Sequence, residues 1–163
     1  MRVVIADDYA VVRTSIRNEL QAAGIEVVGE AADGEEALVL VERLRPDVLV
    51  LDMEMPKLNG LEVARRLRER GDQRGFHPRV LVLSAYNYTA HILGLLEAGA
   101  VGYVLKDEAL ETIVLAVQAA ARGQQWFSPG IARKIPLAPT SPASPRTVVP
   151  AWPMAPAYRH ILD

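Results

Sequence analysis

Short apolar runs alternate with amphipathic stretches along most of this chain. Five runs are rich in Val, Ile and Leu, as is typical of strands buried on both faces of a sheet. The predicted strands cover residues 3–6, 25–28, 48–51, 80–83 and 101–105. Each run is short and is followed by a longer stretch with a different spacing of apolar residues, which indicates regular alternation of two kinds of element.

The longer stretches carry apolar residues at helical spacing. Two of them begin with the pattern of a capping box, Asp33 with Glu36 and Asn59 with Glu62. The last helical stretch ends at Gly123, a residue that commonly follows a helix. Five strand–helix repeats predict an α/β domain with a parallel five-stranded sheet and helices on both of its faces.

The alternation defines the predicted domain organisation. Residues 1–123 form the α/β domain, and residues 124–135 are predicted to hold one short extra helix. Residues 136–163 contain seven of the 11 prolines in the chain. Because proline blocks helix interiors and central strands, we expect this segment to be an irregular or disordered tail.

Composition excludes several classes of protein. The chain has 163 residues and no cysteine, so disulfides, zinc–thiolate sites and thiol catalysis are excluded. The net charge of −2 does not suggest a nucleic-acid binder. No apolar stretch reaches the length of a membrane span, and the chain opens on a strand instead of a signal peptide. We therefore expect a cytoplasmic protein without membrane contact.

Polar residues of the kinds that bind ligands or catalyse reactions follow four of the predicted strands. Asp7 and Asp8 follow the first strand, Asp52 the third, Ser84 the fourth and Lys106 the fifth. In an open parallel sheet, ligands bind at the carboxyl ends of the strands. Neighbouring carboxylates repel one another unless a cation joins them, and oxygen ligands favour Mg²⁺ or Mn²⁺ over zinc.

This group of residues suits phosphoryl chemistry. A phosphoryl group bridged by the cation would be accepted, with Lys106 and the Ser84 hydroxyl holding its remaining oxygens. Carboxylates can act as phosphoryl nucleophiles and form an aspartyl phosphate. Asp52 is the natural candidate, since it stands alone after the middle strand. Taken singly, Asp52 could also be a turn residue, because aspartate favours turns.

Four segments together resemble the receiver domain of two-component response regulators. They are ADDYAVVR, LDMEMPKLNG, VLSA and GYVLKD, and the resemblance covers residues 1 to about 123. GYVLKD is similar to the subgroup that carries LuxR-type helix-turn-helix output domains. The resemblance implies a flavodoxin-like, CheY-like doubly wound fold with strand order 2-1-3-4-5.

The resemblance also implies a role for each residue of the site. Asp52 would accept a phosphoryl group from a sensor histidine kinase or phosphotransfer protein, and the only catalysis would be self-phosphorylation and autodephosphorylation. The metal ligands would be Asp7, Asp8, Asp52 and the backbone carbonyl of Glu54. The switch residues would be Ser84 and Tyr103, and Lys106 would bind the phosphoryl group. Taken alone, Tyr103 reads more simply as a packed strand aromatic.

The resemblance leaves the output of the switch open. No helix-turn-helix is evident after residue 135, so we expect no direct binding to DNA. Output would then run through protein contacts on the surface of the fourth helix, fifth strand and fifth helix. Two copies could pair through that surface or through the first and fifth helices.

One alternative is an enzyme that uses a similar scaffold. A Mg²⁺-dependent phosphatase or phosphotransferase of small molecules would also use an aspartate nucleophile. Such enzymes carry a second Asp two residues after the nucleophile, directly after the first strand. Asp7 and Asp8 are adjacent and do not have that spacing.

Overall fold

The computed structural model describes residues 1–133, and the predicted tail at 136–163 lies outside them. The strands are β1 (Arg2–Ala6), β2 (Glu26–Ala31), β3 (Val48–Asp52), β4 (Arg79–Ser84), β5 (Gly102–Leu105) and β6 (Trp126–Phe127). The helices are α1 (Ala10–Ala22), α2 (Gly34–Leu44), α3 (Gly60–Arg74), α4 (Thr89–Glu97), α5 (Ala109–Ala121) and α6 (Pro129–Ala132). A 3₁₀ turn at Lys106–Glu108 leads into α5.

The sheet is parallel throughout, with strand order 2-1-3-4-5-6. The predicted order 2-1-3-4-5 is therefore present within it, but the predicted number of five strands is wrong. The sixth strand, β6, pairs with β5 through Gly102 beside Trp126 and Tyr103 beside Phe127. Two residues are too few to show any alternation of apolar and polar positions, which is why the sequence pattern did not reveal this strand.

The segment after α5 differs from the single short helix predicted at 124–135. The structure places β6 first and then the four-residue α6, with Pro129 in the first turn. The Ser128 hydroxyl accepts a hydrogen bond from the Leu105 N–H at 3.0 Å, and the Ser128 N–H donates to the Tyr103 carbonyl at 3.1 Å. These contacts fix the segment along β5. Residues 134–135 lie outside the described part of the chain.

Helix starts follow the local sequence. The Asn59 side chain accepts from the Glu62 N–H at 2.9 Å, and Glu62 accepts in return from the Asn59 N–H, so this capping box is complete. Asp33 accepts from the Glu36 N–H in the same way. The Glu36 carboxylate, however, accepts from the N–H of Ala32 and not from that of Asp33, so the second predicted box is only half formed.

The core lies on both faces of the sheet because side chains alternate along each strand. On β1, Val3 and Ile5 pack towards α1 and α5, whereas Val4 packs towards α2, α3 and α4. Each of these three side chains is fully buried. The helices thus cover both faces and leave the carboxyl ends of the strands as the place where polar side chains can gather.

Within residues 1–133, none of the helices combines the length and the apolar character that crossing a membrane requires.

Candidate functional site

The register of the parallel strands brings the predicted site residues to one end of the sheet. The last aligned pairs are Ala6 with Leu51, Asp52 with Leu83 and Ser84 with Leu105. Asp7 follows Ala6 and therefore lies level with Asp52, and Lys106 follows directly after β5. The predicted site residues thus lie together because β1, β3, β4 and β5 pair side by side.

The three acids form one cluster. Asp7, Asp8 and Asp52 each offer a carboxylate oxygen within 4.8 Å of the others. Asp7 and Asp52 are fully buried, whereas Asp8 is exposed. The Lys106 ammonium lies 3.2 Å from Asp7 Oδ2 and 3.2 Å from Asp52 Oδ1. One ammonium therefore faces two buried carboxylates and leaves the cluster with an excess of negative charge.

This arrangement perturbs the protonation of the cluster. Burial, together with the charge of Asp7, raises the pKa of Asp52 from 3.8 to about 7, although Lys106 opposes the shift. Burial by itself would lower the pKa of Lys106, but the charges of Asp52 and Asp7 outweigh it and raise that pKa. The lysine therefore stays charged, and the charged form of Asp52 is the one that is destabilised.

Two carboxylate oxygens of the cluster have no hydrogen-bond donor among the described residues. Asp52 Oδ2 is buried and accepts no hydrogen bond from any described residue, and neither does Asp7 Oδ2 despite the nearby ammonium. A buried acceptor without a donor is unfavourable unless another positive partner reaches it. The donor set is entirely oxygen, which suits a hard divalent cation. The cluster could therefore bind such a metal ion.

The loop after β3 supports Asp52 through its backbone. The Glu54 N–H donates to Asp52 Oδ1 at 3.2 Å, and the Glu54 side chain is exposed. The Gly60 N–H donates to the Met53 carbonyl at 2.9 Å, which closes the loop. A Cβ at Gly60 would lie 2.7 Å from the Asp52 carbonyl oxygen, so a side chain would displace the Asp52 backbone.

Ser84 and Tyr103 meet at the loop after β4. The Ser84 hydroxyl accepts a hydrogen bond from the Tyr86 N–H at 3.0 Å, and the Tyr103 hydroxyl donates to the Tyr86 carbonyl at 3.0 Å. Ser84 and Tyr103 are both fully buried. Burial raises the pKa of the Tyr103 phenol, which therefore remains a neutral donor. One residue, Tyr86, thus links the two predicted switch side chains through its backbone.

Sequence reasoning missed three residues around the cluster. Tyr9 lies at its mouth, with the Lys106 ammonium 5.6 Å from the centre of the ring. Arg13 donates to the Asp7 carbonyl at 2.6 Å. Gly60 has no side chain, and this lets its backbone lie close to the Asp52 carbonyl. Gly60 lies within the capping box predicted from Asn59 and Glu62, but nothing in the spacing of Tyr9 or Arg13 distinguished them from the residues around them.

Comparison with known proteins identifies the domain. The model of the family "Response regulator receiver domain" matches residues 3–118. The nitrate/nitrite response regulator protein NarL of Escherichia coli K12 is 37% identical over 127 residues, which cover 77% of this chain and 57% of NarL. The response regulator GacA of Pseudomonas aeruginosa is 37% identical over 139 residues, 84% of this chain and 63% of GacA. The chain thus spans less than two thirds of the length of these relatives.

Solved structures agree with the sequence relatives. A two-component response regulator of the LuxR family from Aurantimonas sp. has 34% identity and a TM-score of 0.76, over 82% of this chain and 94% of that one. The signal receiver domain of the putative response regulator NarL from Mycobacterium tuberculosis has 38% identity and a TM-score of 0.69, over 75% and 96%. One of these similar structures is a LuxR-family regulator. Together with the family match over residues 3–118, these relatives show that the chain belongs to the response regulator receiver domain family.

Proposed function

We propose that this chain is a signalling switch in which Asp52 accepts a phosphoryl group from a sensor histidine kinase or a phosphotransfer protein. The observation that carries the proposal is the buried Asp52 Oδ2, which has no donor among the described residues. It lies in a cluster with two further acids and one lysine. An oxygen without a partner is free to form a new bond, and membership of the receiver family supports this use.

A divalent cation, Mg²⁺ or Mn²⁺, is the proposed cofactor. Asp7, Asp8 and Asp52 would hold it, and the Glu54 carbonyl is the proposed fourth protein ligand. When bound, the ion neutralises charge on phosphoryl oxygens during transfer. The Lys106 ammonium, which already lies between Asp7 and Asp52, would hold another of these oxygens.

The proposed transfer is a simple exchange of bonds. The bond between phosphorus and the donor histidine nitrogen breaks as the bond between phosphorus and Asp52 Oδ2 forms. The imidazole leaves with the electron pair and takes up a proton, and an acyl phosphate remains on the protein. Water then attacks the phosphorus, and the products are inorganic phosphate and the Asp52 carboxylate. The chain catalyses only reactions of its own aspartate in this scheme.

The test is a measurement of mass. The protein is incubated with Mg²⁺ and acetyl phosphate, and the intact masses of the wild type and Asp52→Asn are compared. We expect the wild type to gain one phosphoryl group and the variant to gain none. Omission of Mg²⁺ should also abolish labelling. Labelling that persists in Asp52→Asn would refute the assignment of the acceptor.

We infer that Ser84 and Tyr103 carry the signal from Asp52 to the surface of α4, β5 and α5. Phosphorylation adds charge and three strong acceptors, so the Ser84 hydroxyl would turn to donate to one of them. The Tyr86 backbone bonds to both side chains, so a movement of its loop would reach Tyr103. Tyr103→Phe should leave labelling intact and abolish any binding partner's preference for the phosphorylated form.

The proposed partner surfaces carry exposed apolar side chains. Val11 on α1 is 79% exposed, and Leu110 and Leu115 on α5 are each about half exposed. Helices α1 and α5 pack against each other, so these residues share one side of the domain. A kinase or a second copy could bind there, and the surface of α4, β5 and α5 is the alternative for a homodimer. Sedimentation before and after phosphorylation would distinguish monomer from dimer.

The competing enzyme function has its own test. A phosphatase or phosphotransferase of small molecules would turn over a generic phosphomonoester many times per protein. We expect no such turnover, and multiple turnovers that depend on Asp52 and Mg²⁺ would favour the enzyme over the switch.

A further inference from the structure

Arg13 makes a contact that none of the roles above uses. Its guanidinium donates from Nη1 to the Asp7 carbonyl oxygen at 2.6 Å and from Nε to Glu30 Oε1 at 3.2 Å. Glu30 Oε2 in turn accepts from Arg17 at 2.7 Å. The Arg13 side chain is 19% exposed, so its bonds are largely shielded from water. Arg13 therefore joins the end of β1 to β2 from its position on α1.

Both backbone polar groups of Asp7 are hydrogen-bonded. Its N–H donates to the Ala31 carbonyl on β2 at 3.0 Å, which continues the strand pairing. Its carbonyl lies beyond the last pair of β1 with β3, so Arg13 supplies the hydrogen bond that the sheet does not. That carbonyl shares a rigid plane with the N–H of Asp8. Fixing the oxygen therefore fixes the direction in which the chain enters Asp8.

The orientation of Asp8 needs such support. Asp8 is exposed, and its carboxylate lies in a cluster with Asp7 and Asp52, which repel it. Rotation of the peptide would let Asp8 move away into solvent and relieve that repulsion. Such a movement would disassemble the set of oxygens near the place where a cation would bind.

We propose that Arg13 is a positioning residue, which holds the peptide between Asp7 and Asp8 so that both carboxylates stay directed at Asp52. The inference rests on the proposed function, because it concerns the same metal-assisted phosphoryl transfer. It predicts that Arg13 acts through its geometry, as a fork that reaches a carbonyl and a carboxylate at once, and not through its charge alone.

Arg17 provides a matched control on the same helix. It pairs with the same Glu30 carboxylate and carries the same charge, but among the described residues it makes no bond to Asp7. Arg17→Gln therefore removes a charge and an ion pair without releasing the Asp7 carbonyl. Arg13→Lys keeps the charge but replaces the fork with a single ammonium, which cannot reproduce both bonds. Arg13→Gln removes charge and fork together.

The experiment measures the affinity of the full chain for Mg²⁺ by calorimetry, together with the melting temperature of the metal-free protein. We expect Arg13→Gln and Arg13→Lys to weaken Mg²⁺ binding about tenfold, as is usual when support of a ligand is lost. Arg17→Gln should change the affinity by about threefold or less, because the Arg17–Glu30 pair is partly exposed to solvent and does not reach Asp7. The melting temperatures of Arg13→Lys and Arg17→Gln should be similar.

Other outcomes separate the two proposals. If the wild type binds Mg²⁺ and labels, but Arg13→Lys binds as tightly as the wild type, the positioning role is refuted while the proposed function stands. Equal weakening by Arg13→Gln and Arg17→Gln would refute it too, because charge alone would explain the loss. If the wild type neither binds Mg²⁺ nor labels, the proposed function fails and the role of Arg13 fails with it. Should Arg13→Gln not fold, Arg13→Lys alone decides.

Discussion

Replacement of Asp52 by asparagine should stabilise the metal-free protein. The Asp52 carboxyl is fully buried, and burial with the charge of Asp7 raises its pKa from 3.8 to about 7. A difference of this size corresponds to about 4 kcal/mol between the charged and the neutral form. The asparagine side chain would be neutral at every pH and of nearly the same shape, so the folded protein would no longer carry that penalty.

The sign of the pH dependence follows from the direction of the shift. The folded protein holds the Asp52 proton more tightly than the unfolded chain does, so the associated stability is fully present below pH about 4. It is lost as the pH rises towards about 7, and the loss is complete above that value. The advantage of Asp52→Asn should therefore grow by about 3 kcal/mol between pH 5 and pH 8.

Urea unfolding in the presence of EDTA, followed by circular dichroism at both pH values, measures this difference directly. Glu111→Gln is the control, because it neutralises an exposed acid on α5 and should show no such trend. Added Mg²⁺ should raise the stability of the wild type by about 3 kcal/mol at a hundred times its dissociation constant. The reasoning is refuted if Asp52→Asn has the same stability relative to the wild type at pH 5 and pH 8.

Three further predictions concern the surroundings of the site. Gly60→Ala should lower the free energy of unfolding by about 2 kcal/mol and slow labelling of Asp52, since its Cβ would lie 2.7 Å from a backbone oxygen. Gly94→Ala is the control and should not destabilise the protein in urea unfolding, because its Cβ would meet only the Leu61 methyl groups at 3.7 and 3.8 Å. Lys57 has a φ of 69°, so Lys57→Gly should be about 1 kcal/mol more stable than Lys57→Ala by the same assay. A gel shift with promoter and random DNA should show no tight binding by this chain at physiological salt, and a stable complex would contradict the expectation.

The parts of the fold that were predictable are those set by repeated local patterns. Apolar runs and helical spacing located β1, β3 and β4 to within a residue or two, because these strands are buried on both faces. The position of Asp7 beside Asp52 followed from parallel pairing, in which every strand ends on the same side. Lys106 was predictable for the same reason.

The parts that were not predictable depend on contacts between distant residues. The two-residue strand β6 exists because Trp126 and Phe127 lie along β5, and no periodicity precedes such a contact. The bond from Arg13 to the Asp7 carbonyl requires α1 to pack at a particular angle against β1. The Tyr103 hydroxyl likewise finds the Tyr86 carbonyl only once the β4–α4 loop has its final shape.

The short strand β6 also determines which residues an isolated fragment of this domain must include. Together with Ser128, it occupies the outer hydrogen-bonding groups of β5, whose four residues are all buried. A fragment that stops at residue 118, where the family match ends, or at Gly123 would make β5 a bare edge strand. An unpaired edge strand offers free backbone groups with which another chain can pair, and this favours aggregation. A soluble excised receiver should therefore extend through Ala132.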